Sequence, residues 1–311
     1  LMGVARVNPN RITAGDIGYI LGPRLNAAGR LDTAYAALEL LMARDVALAA
    51  KLAQMLDNQN RERQQITRAI QADAEIKALA DDPQAVLLFA SDPDYNMGVI
   101  GLAASRLTEK YYRPAIVACR GEDVTRGSCR SIKEFHITDA LDQCRDLLIR
   151  HGGHAAAAGF TVKTENLSEL KDRLLSIAMG QLGDLDLRPK LKADMEIPLS
   201  ELKPEILEYI ERLEPTGHGN PKARFISRDL IVTRHKQVGK DGSHLKLTVT
   251  DKSITYDAIA FRQGEWARDM PSRVDLLYTF EKNEWQGNVS LQLNVRDLKA
   301  GGQAINPQSG I

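Results

Sequence analysis

Apolar positions along this chain change period several times, and each change marks a different kind of structure. Between residues 45 and 80, Leu48, Leu52, Met55, Ile66 and Ile70 keep a rough helical spacing, with no Pro or Gly before Pro83. The pattern predicts one long helix capped by Asp45, about 50 Å in length at the rise of an α-helix. Its centre, from Asp57 to Gln65, is polar and has little to bury. Such a helix is expected to bridge two bodies and to be solvated between them. A shorter helix ending at Met42 precedes it, with Asp32 or Thr33 as its cap. Residues 1–31 read as loop and short helix around a glycine-rich stretch.

From Ala85 short apolar runs alternate with amphipathic segments. Strands are expected at 86–90, 115–118, 127–132 and 158–162, and helices at 99–112, 137–150 and 167–179. That alternation indicates an α/β domain with a sheet covered by helices. A linker is expected at 180–189. Beyond it the pattern turns to β, with strands expected at 190–197, 225–235, 244–250, 255–261, 274–280 and 289–298, and one helix at 203–213. Turn signals at Lys240-Asp241-Gly242 and Gln286-Gly287-Asn288 separate some of them. Short strands at this density suggest a small β-barrel, with an OB-fold as the obvious form. The tail, residues 300–311, is rich in Gly, Gln, Asn and Ser and is expected to be disordered.

Composition adds bounds. The 311 residues are 43% hydrophobic and 26% charged, the profile of a globular protein with room for two domains. No apolar run is long enough for a membrane span, and no signal peptide is recognisable. The chain starts with Leu1, which suggests that the natural protein begins upstream. Cys119, Cys129 and Cys144 lack any C-x-x-C spacing, which argues against a disulfide framework or structural zinc and fits a reducing cytoplasm. Basic and acidic residues balance at 41 each, but not locally. Residues 196–214 hold six Glu against Lys203 and Arg212, whereas residues 222–252 hold eight Lys and Arg against three Asp. The basic stretch is a possible phosphate-binding face, or equally a solvated surface with scattered lysines.

Four stretches carry candidate chemistry. Gly22-Pro23-Arg24-Leu25-Asn26-Ala27-Ala28-Gly29-Arg30 reads as a glycine-punctuated loop flanked by two arginines, able to converge on a phosphate or to cap helix ends. In Gly127-Ser128-Cys129-Arg130-Ser131, strand alternation puts Ser128 and Arg130 on one face, as a phosphate clamp or an ordinary strand–turn junction. In the stretch from His151 to Phe160, Gly152 and Gly153 end a helix and admit a ligand near backbone, alanines leave a floor without bulk, and His154 can donate to a phosphate. His151 and His154 have no Cys or carboxylate at ligand spacing, so no metal site is expected there. The fourth stretch, Leu213 to Pro221, taken alone is a turn-rich connector.

In this order the four stretches resemble the RecJ single-strand-specific exonucleases of the DHH phosphoesterase superfamily. The family's G-P-R-x-N-A-A-G-R matches Gly22 to Arg30, G-S-x-R-S matches Gly127 to Ser131, G-G-H-x-x-A-A-G matches Gly152 to Gly159, and L-E-P-x-G-x-G-N-P matches Leu213 to Pro221. A helix motif N-x-x-R-x-x-x-x resembles Asn60 to Thr67. Two departures stand out: Asn96 replaces the histidine of W-H-x-G-V, and Thr216 replaces the phenylalanine of L-E-P-F-G.

The resemblance implies the end of a DHH domain at 1–32, bridging helices at 33–82, a DHHA1 domain at 83–180 and an OB-fold nucleic-acid-binding domain at 190–299. It implies 5′→3′ hydrolysis of single-stranded DNA in repair and recombination, with single-strand-binding protein and a helicase as partners. It implies that Arg24, Asn26, Arg30, Ser128, Arg130, Ser131, Gly152, Gly153 and His154 contact the substrate, with His154 assisting catalysis. Arg234, Lys236, Lys240, Lys246 and Trp285 are the corresponding DNA-binding residues of the barrel, although Trp285 also reads as core. The sequence contains no D-H-H triplet, so Mn²⁺ or Mg²⁺ is expected in a domain outside this chain, and the chain alone is expected to be inactive. Two other readings stay open: a non-catalytic single-strand-binding protein, and a DHH–DHHA1 phosphodiesterase of short RNA or cyclic dinucleotides, against which the β-rich region speaks.

Overall fold

The computed structural model describes residues 1–285 and 288–302, with backbone alone for Trp285 and Asn288. The turn expected at Gln286-Gly287 and the tail from residue 303 onward lie outside the described residues. The chain divides into two compact units, Leu1–Pro189 and Lys190–Ile311.

The first unit opens with α1 (Met2–Ala5), a π-helical turn (Asp16–Leu21), α2 (Gly22–Leu31), α3 (Tyr35–Met42) and α4 (Val46–Leu79). The glycine-rich stretch is thus helix α2 rather than a loop. Pro23 falls in its first turn, where the missing N–H costs nothing, and Ala27 and Ala28 are fully buried. Neither Asp32 nor Thr33 caps α3, which starts after Ala34 without a side-chain capping bond. Asp45 does cap α4, its Oδ1 accepting from the Leu48 N–H at 2.8 Å. The polar centre of α4 is not simply solvated: Asp57, Asn60 and Thr67 are buried. They are tolerated because partners satisfy them, above all Arg24 and Arg61, which pair with Asp57 at 2.8 and 2.6 Å.

A five-stranded sheet follows, in the order β1-β2-β3-β5-β4. It comprises β1 (Leu88–Asp92), β2 (Ala115–Arg120), β3 (Val124–Arg130), β4 (Leu148–His154) and β5 (Ala157–Lys163). Strands β1 and β2 are parallel and the other pairings antiparallel. The helices are α5 (Ile100–Tyr111), α6 (Ile137–Asp142) and α7 (Leu167–Leu182). The helix expected over 137–150 stops at Asp142; a 3-10 turn at Arg145–Leu147 follows and β4 begins at Leu148, so Gly152 and Gly153 lie within a strand rather than ending a helix. Glycine and exposed polar side chains leave β4 without an apolar alternation, so the sequence hides it. Helix α7 also runs past the expected linker start, and Leu182 and Leu187 pack into this unit's core.

The two faces of the sheet differ. Phe89, Ile116, Cys129, Phe160 and Val162 bury one face together with residues of α6 and α7. On the other face Leu88, Ala90, Ala115 and Val117 bury against residues of α4 and α5, with α4 packed on β1 and α5 on β2 and β3. Beyond it, the same face of β5 and β4 carries Ala157, Gly159, Gly152 and His154, half-buried or exposed. Two glycines and one alanine leave little apolar surface there for a helix to cover.

The second unit contains β6 (Met195–Glu196), α8 (Pro204–Glu211), β7 (Phe225–Val238), β8 (His244–Thr250), β9 (Thr255–Ala260), β10 (Arg273–Trp285) and β11 (Asn288–Ala300). The strands run β7-β8-β9-β11-β10, and β10 pairs back with β7 to close a five-stranded barrel. Leu245, Leu247 and Val249 of β8 point inward, while Lys246 and Thr248 point outward. The strand expected at 190–197 shrinks to Met195–Glu196. The stretch 213–221 is a turn held by Asn220, whose Nδ2 donates to the carbonyls of Leu213 and Pro215. No helix among the described residues is long and apolar enough to cross a membrane.

Candidate nucleic-acid interface

On β3 the side chains alternate as the period of two requires. Cys129 is buried in the core, its thiol pushed up to about 12 by burial, so it is no nucleophile. Ser128 and Arg130 share the opposite face. Nη1 of Arg130 donates to Ser128 Oγ at 3.2 Å and to the Cys129 carbonyl at 2.8 Å, which fixes the guanidinium beside the hydroxyl. Helix α5 presents Gly101 to this pair: a Cβ there would lie 2.9 Å from Ser128 Oγ and 3.0 Å from Nη2 of Arg130.

Three further arginines are linked to Arg130 through their charges: Arg30 acts on Arg130, and Arg30 and Arg106 act on Arg63. Arg30, in the last turn of α2, donates from Nη1 to the Gly98 carbonyl at 3.2 Å. Arg63 of α4 donates to Asn60 Oδ1 at 2.9 Å, and its buried Nε has no partner. Arg106 of α5 donates to Gln71 Oε1 at 3.3 Å. These hydrogen-bond partners are all neutral. Burial depresses the pKa of Arg63, and the charges of Arg30 and Arg106 add to the effect. Burial likewise depresses that of Arg130, with Arg30 adding. Cations that repel one another in a partly desolvated place are costly unless an anion joins them, and planar guanidinium groups suit the oxygens of phosphate.

The sheet register brings the histidine motif to the same face. Arg130 pairs with Ala157, which pairs with His154; Ser128 pairs with Gly159, which pairs with Gly152. Gly153 has a φ of +154°, and a Cβ there would meet the Ala157 carbonyl at 2.3 Å, so the backbone requires glycine. Gly152 is different: nothing lies within 4 Å of a Cβ built on it. Among the predicted site residues, the structure therefore brings together Arg30, Ser128, Arg130, Gly152 and His154. Asn26 is exposed on α2 one turn before Arg30. Two residues are engaged elsewhere. Arg24 is held by Asp57 and the Ile20 carbonyl, and the Ser131 hydroxyl donates to the Phe135 carbonyl. His151 points away from His154, toward the opposite face, with Nε2 2.7 Å from Asp142 Oδ1. Among the described residues no three His, Cys, Asp or Glu side chains come together as a metal site. These residues do not fit a two-metal centre.

On the barrel, Arg234 pairs across β7–β8 with Thr248, and Lys236 with Lys246, forming one outward patch. Lys246 is partly neutralised by Asp257 at 3.2 Å. Lys240 lies apart, in the turn between β7 and β8, and the Trp285 side chain is outside the described residues. The basic stretch is further divided because Arg228 turns to Glu196 and Asp275.

Sequence reasoning missed Arg106 and Gly101 and left Arg63 as an unassigned part of a motif. The N-x-x-R spacing was a signal for Arg63. For the other two, the site arises from packing of α5 over β3, which no local pattern announces.

Residues 82–180 match the DHHA1 domain family, and residues 193–297 match the RecJ OB domain. The chain is 32% identical over 285 residues to the single-stranded-DNA-specific exonuclease RecJ of Bacillus subtilis, covering 90% of this chain and 36% of that protein. It is 32% identical over 312 residues to the enzyme of the same name from Haemophilus influenzae, covering 95% and 53%. The crystal structure of RecJ in complex with Mn²⁺ from Thermus thermophilus matches with a TM-score of 0.84 at 28% identity, over 97% of this chain and 44% of that one. The chain thus spans between about a third and about a half of the length of these relatives. A mixed sheet of this order matched by the DHHA1 family places the chain among DHHA1 proteins. The closed barrel that follows is specifically a RecJ OB domain, and the chain belongs to the RecJ family, as a C-terminal portion.

Proposed function

We propose that this chain is the DNA-holding portion of an exonuclease specific for single-stranded DNA, which hydrolyses phosphodiester bonds 5′→3′ in repair and recombination. The observation that carries the reading is the arginine cluster around Ser128 and Arg130, whose hydrogen-bond partners are neutral. In this reading Arg30, Ser128 and Arg130 grip the phosphate at the 5′ end. His154, on the same face, donates to an oxygen of the scissile phosphate. The outward patch of Arg234, Lys236 and Lys246 tracks the strand, with Lys240 and Trp285 on the neighbouring loops, where an OB-fold binds oligonucleotides.

The domain division proposed is the end of a DHH domain at 1–32, bridging helices at 33–82, DHHA1 at 83–180 and OB at 190–299. The divalent ions, Mn²⁺ or Mg²⁺, belong to a DHH domain outside these residues. Single-strand-binding protein and a helicase are the partners, and the cytoplasm is the compartment.

The test uses 5′-labelled single-stranded DNA with Mn²⁺. The 311-residue chain binds the strand and leaves it intact, and joined to the DHH portion of a RecJ relative it releases nucleotides from the 5′ end. Binding without hydrolysis in the joined protein supports a non-catalytic single-strand-binding protein instead. Rapid hydrolysis by the chain alone refutes the division of labour.

A further inference from the structure

The face that carries Ser128 and Arg130 continues for one more row, and that row is basic. Arg126 precedes Ser128 by two residues on β3 and so points to the same side. The register runs Arg126 to Thr161 of β5 and from Thr161 to Arg150 of β4. Between this row and the row of Arg130 and His154 lie Gly159 and Gly152. The four-residue step from Arg126 to Arg130 measures about 13 Å along an extended strand.

Both guanidinium groups are exposed, and neither forms a hydrogen bond or ion pair among the described residues. The groove between them has a volume of about 410 Å³ and no carboxylate in its lining. Met97 forms part of its wall, 45% exposed.

The glycine floor is a second, independent observation. Glycine weakens a strand, and where it persists it often marks the close approach of a ligand or another backbone. Neither Gly152 nor Gly159 has a positive φ, nothing lies within 4 Å of a Cβ on Gly152, and only the Gly127 carbonyl, at 3.6 Å, lies near one on Gly159. Packing within the chain therefore gives no reason for glycine at either position. A molecule passing across the floor does.

We propose that Arg126 and Arg150 form a second phosphate subsite, which holds the backbone of the same single strand further from its 5′ end. The subsite rests on the proposed function, because the strand is assumed to begin at Ser128 and Arg130. The strand then crosses the bare floor at Gly159 and Gly152 with its backbone close to the sheet, and the two arginines take the phosphate on the far side.

The test compares a 5′-phosphorylated dinucleotide with a 5′-phosphorylated dodecamer, each bound to the full chain over a range of salt. The Arg126→Gln/Arg150→Gln double variant should fold with an unchanged melting temperature, because neither side chain has a partner to lose. Its dinucleotide affinity should equal wild type. Its dodecamer affinity should fall roughly tenfold, with a salt slope shallower by about 0.7 for each phosphate that is no longer neutralised. Arg126→Lys/Arg150→Lys should retain most of the slope. If the double Gln variant binds the dodecamer as wild type does while Arg130→Ala loses it, the subsite is overturned and the proposed function stands. If neither variant changes the binding of either ligand, both fall.

Discussion

Gly98 lies against the backbone of Arg30: a Cβ on Gly98 would stand 1.8 Å from the Arg30 carbonyl oxygen. In return, Nη1 of Arg30 donates to the Gly98 carbonyl at 3.2 Å. The loop that makes this approach is shaped by Asn96, whose Oδ1 accepts from the Gly98 N–H at 2.8 Å. The end of α2 and the loop before α5 are thereby locked together, and Arg30 is aimed at the cluster. Gly98→Ala must separate the two backbones. Overpacking of this kind costs about 1–3 kcal/mol, so the urea midpoint should fall, and single-strand affinity should fall with it. An unchanged midpoint would contradict the contact.

Arg24 and Asp57 give the opposite case, an arginine whose role is structural. The Asp57 side chain is 1% exposed and accepts from Arg24 Nε at 2.8 Å. Removing one partner of a buried pair costs about 3–5 kcal/mol. Asp57→Ala, which leaves Arg24 with the Ile20 carbonyl, and Arg24→Ala, which leaves the buried carboxylate to the exposed Arg61, should both destabilise. Both variants should bind DNA normally per folded molecule. Loss of DNA binding by Arg24→Ala at full stability would place Arg24 on the substrate instead.

Gly152→Val separates function from stability. A β-branched residue suits an extended strand, and replacing glycine should stabilise by about 0.5–1 kcal/mol. The side chain would stand in the path of the strand, so affinity for single-stranded DNA should drop roughly tenfold, or about 1.4 kcal/mol. Thermal melting and fluorescence anisotropy on one sample decide it; lower stability with unchanged affinity would speak against a bare floor.

The α4–α5 contact should respond to acid. Glu75 accepts from Lys110 Nζ at 2.5 Å and Tyr111 Oη at 2.7 Å, and these bonds hold its carboxyl below the ordinary glutamate range. A depressed folded-state value means that the unfolded chain takes the proton first as pH falls. The contribution is therefore complete above the unfolded glutamate value, near pH 4.5, and is lost as pH drops through the lower folded value. Melting temperature should decline over that window, and less steeply in Glu75→Gln. Equal slopes in the two proteins would remove Glu75 from the account.

The barrel was legible because β8 alternates Leu245, Leu247 and Val249 with polar residues, and α4 because Asp45 caps a long run free of Gly and Pro. Strand β4 was not, because Arg150, Gly152 and His154 face the open side and leave no apolar trace. The clamp itself followed from strand alternation at Ser128 and Arg130. Its surroundings did not, since Arg63, Arg106 and Gly101 reach it only through packing of α4 and α5. Arg24 misled for the same reason: its partner Asp57 is thirty-three residues away.

In the proposed function Arg130 holds the terminal phosphate. The direct measurement is the affinity of the chain for one single-stranded oligonucleotide with a 5′-phosphate and with a 5′-hydroxyl, for wild type and for Arg130→Lys. Charge-assisted hydrogen bonds contribute about 1.5–3 kcal/mol, roughly a ten- to hundredfold preference for the phosphate in wild type. Lys cannot reproduce the planar fork, so Arg130→Lys should lose most of that preference at an unchanged melting temperature. Equal affinity for the two ends in wild type, or a variant that keeps the preference and melts earlier, would contradict the account.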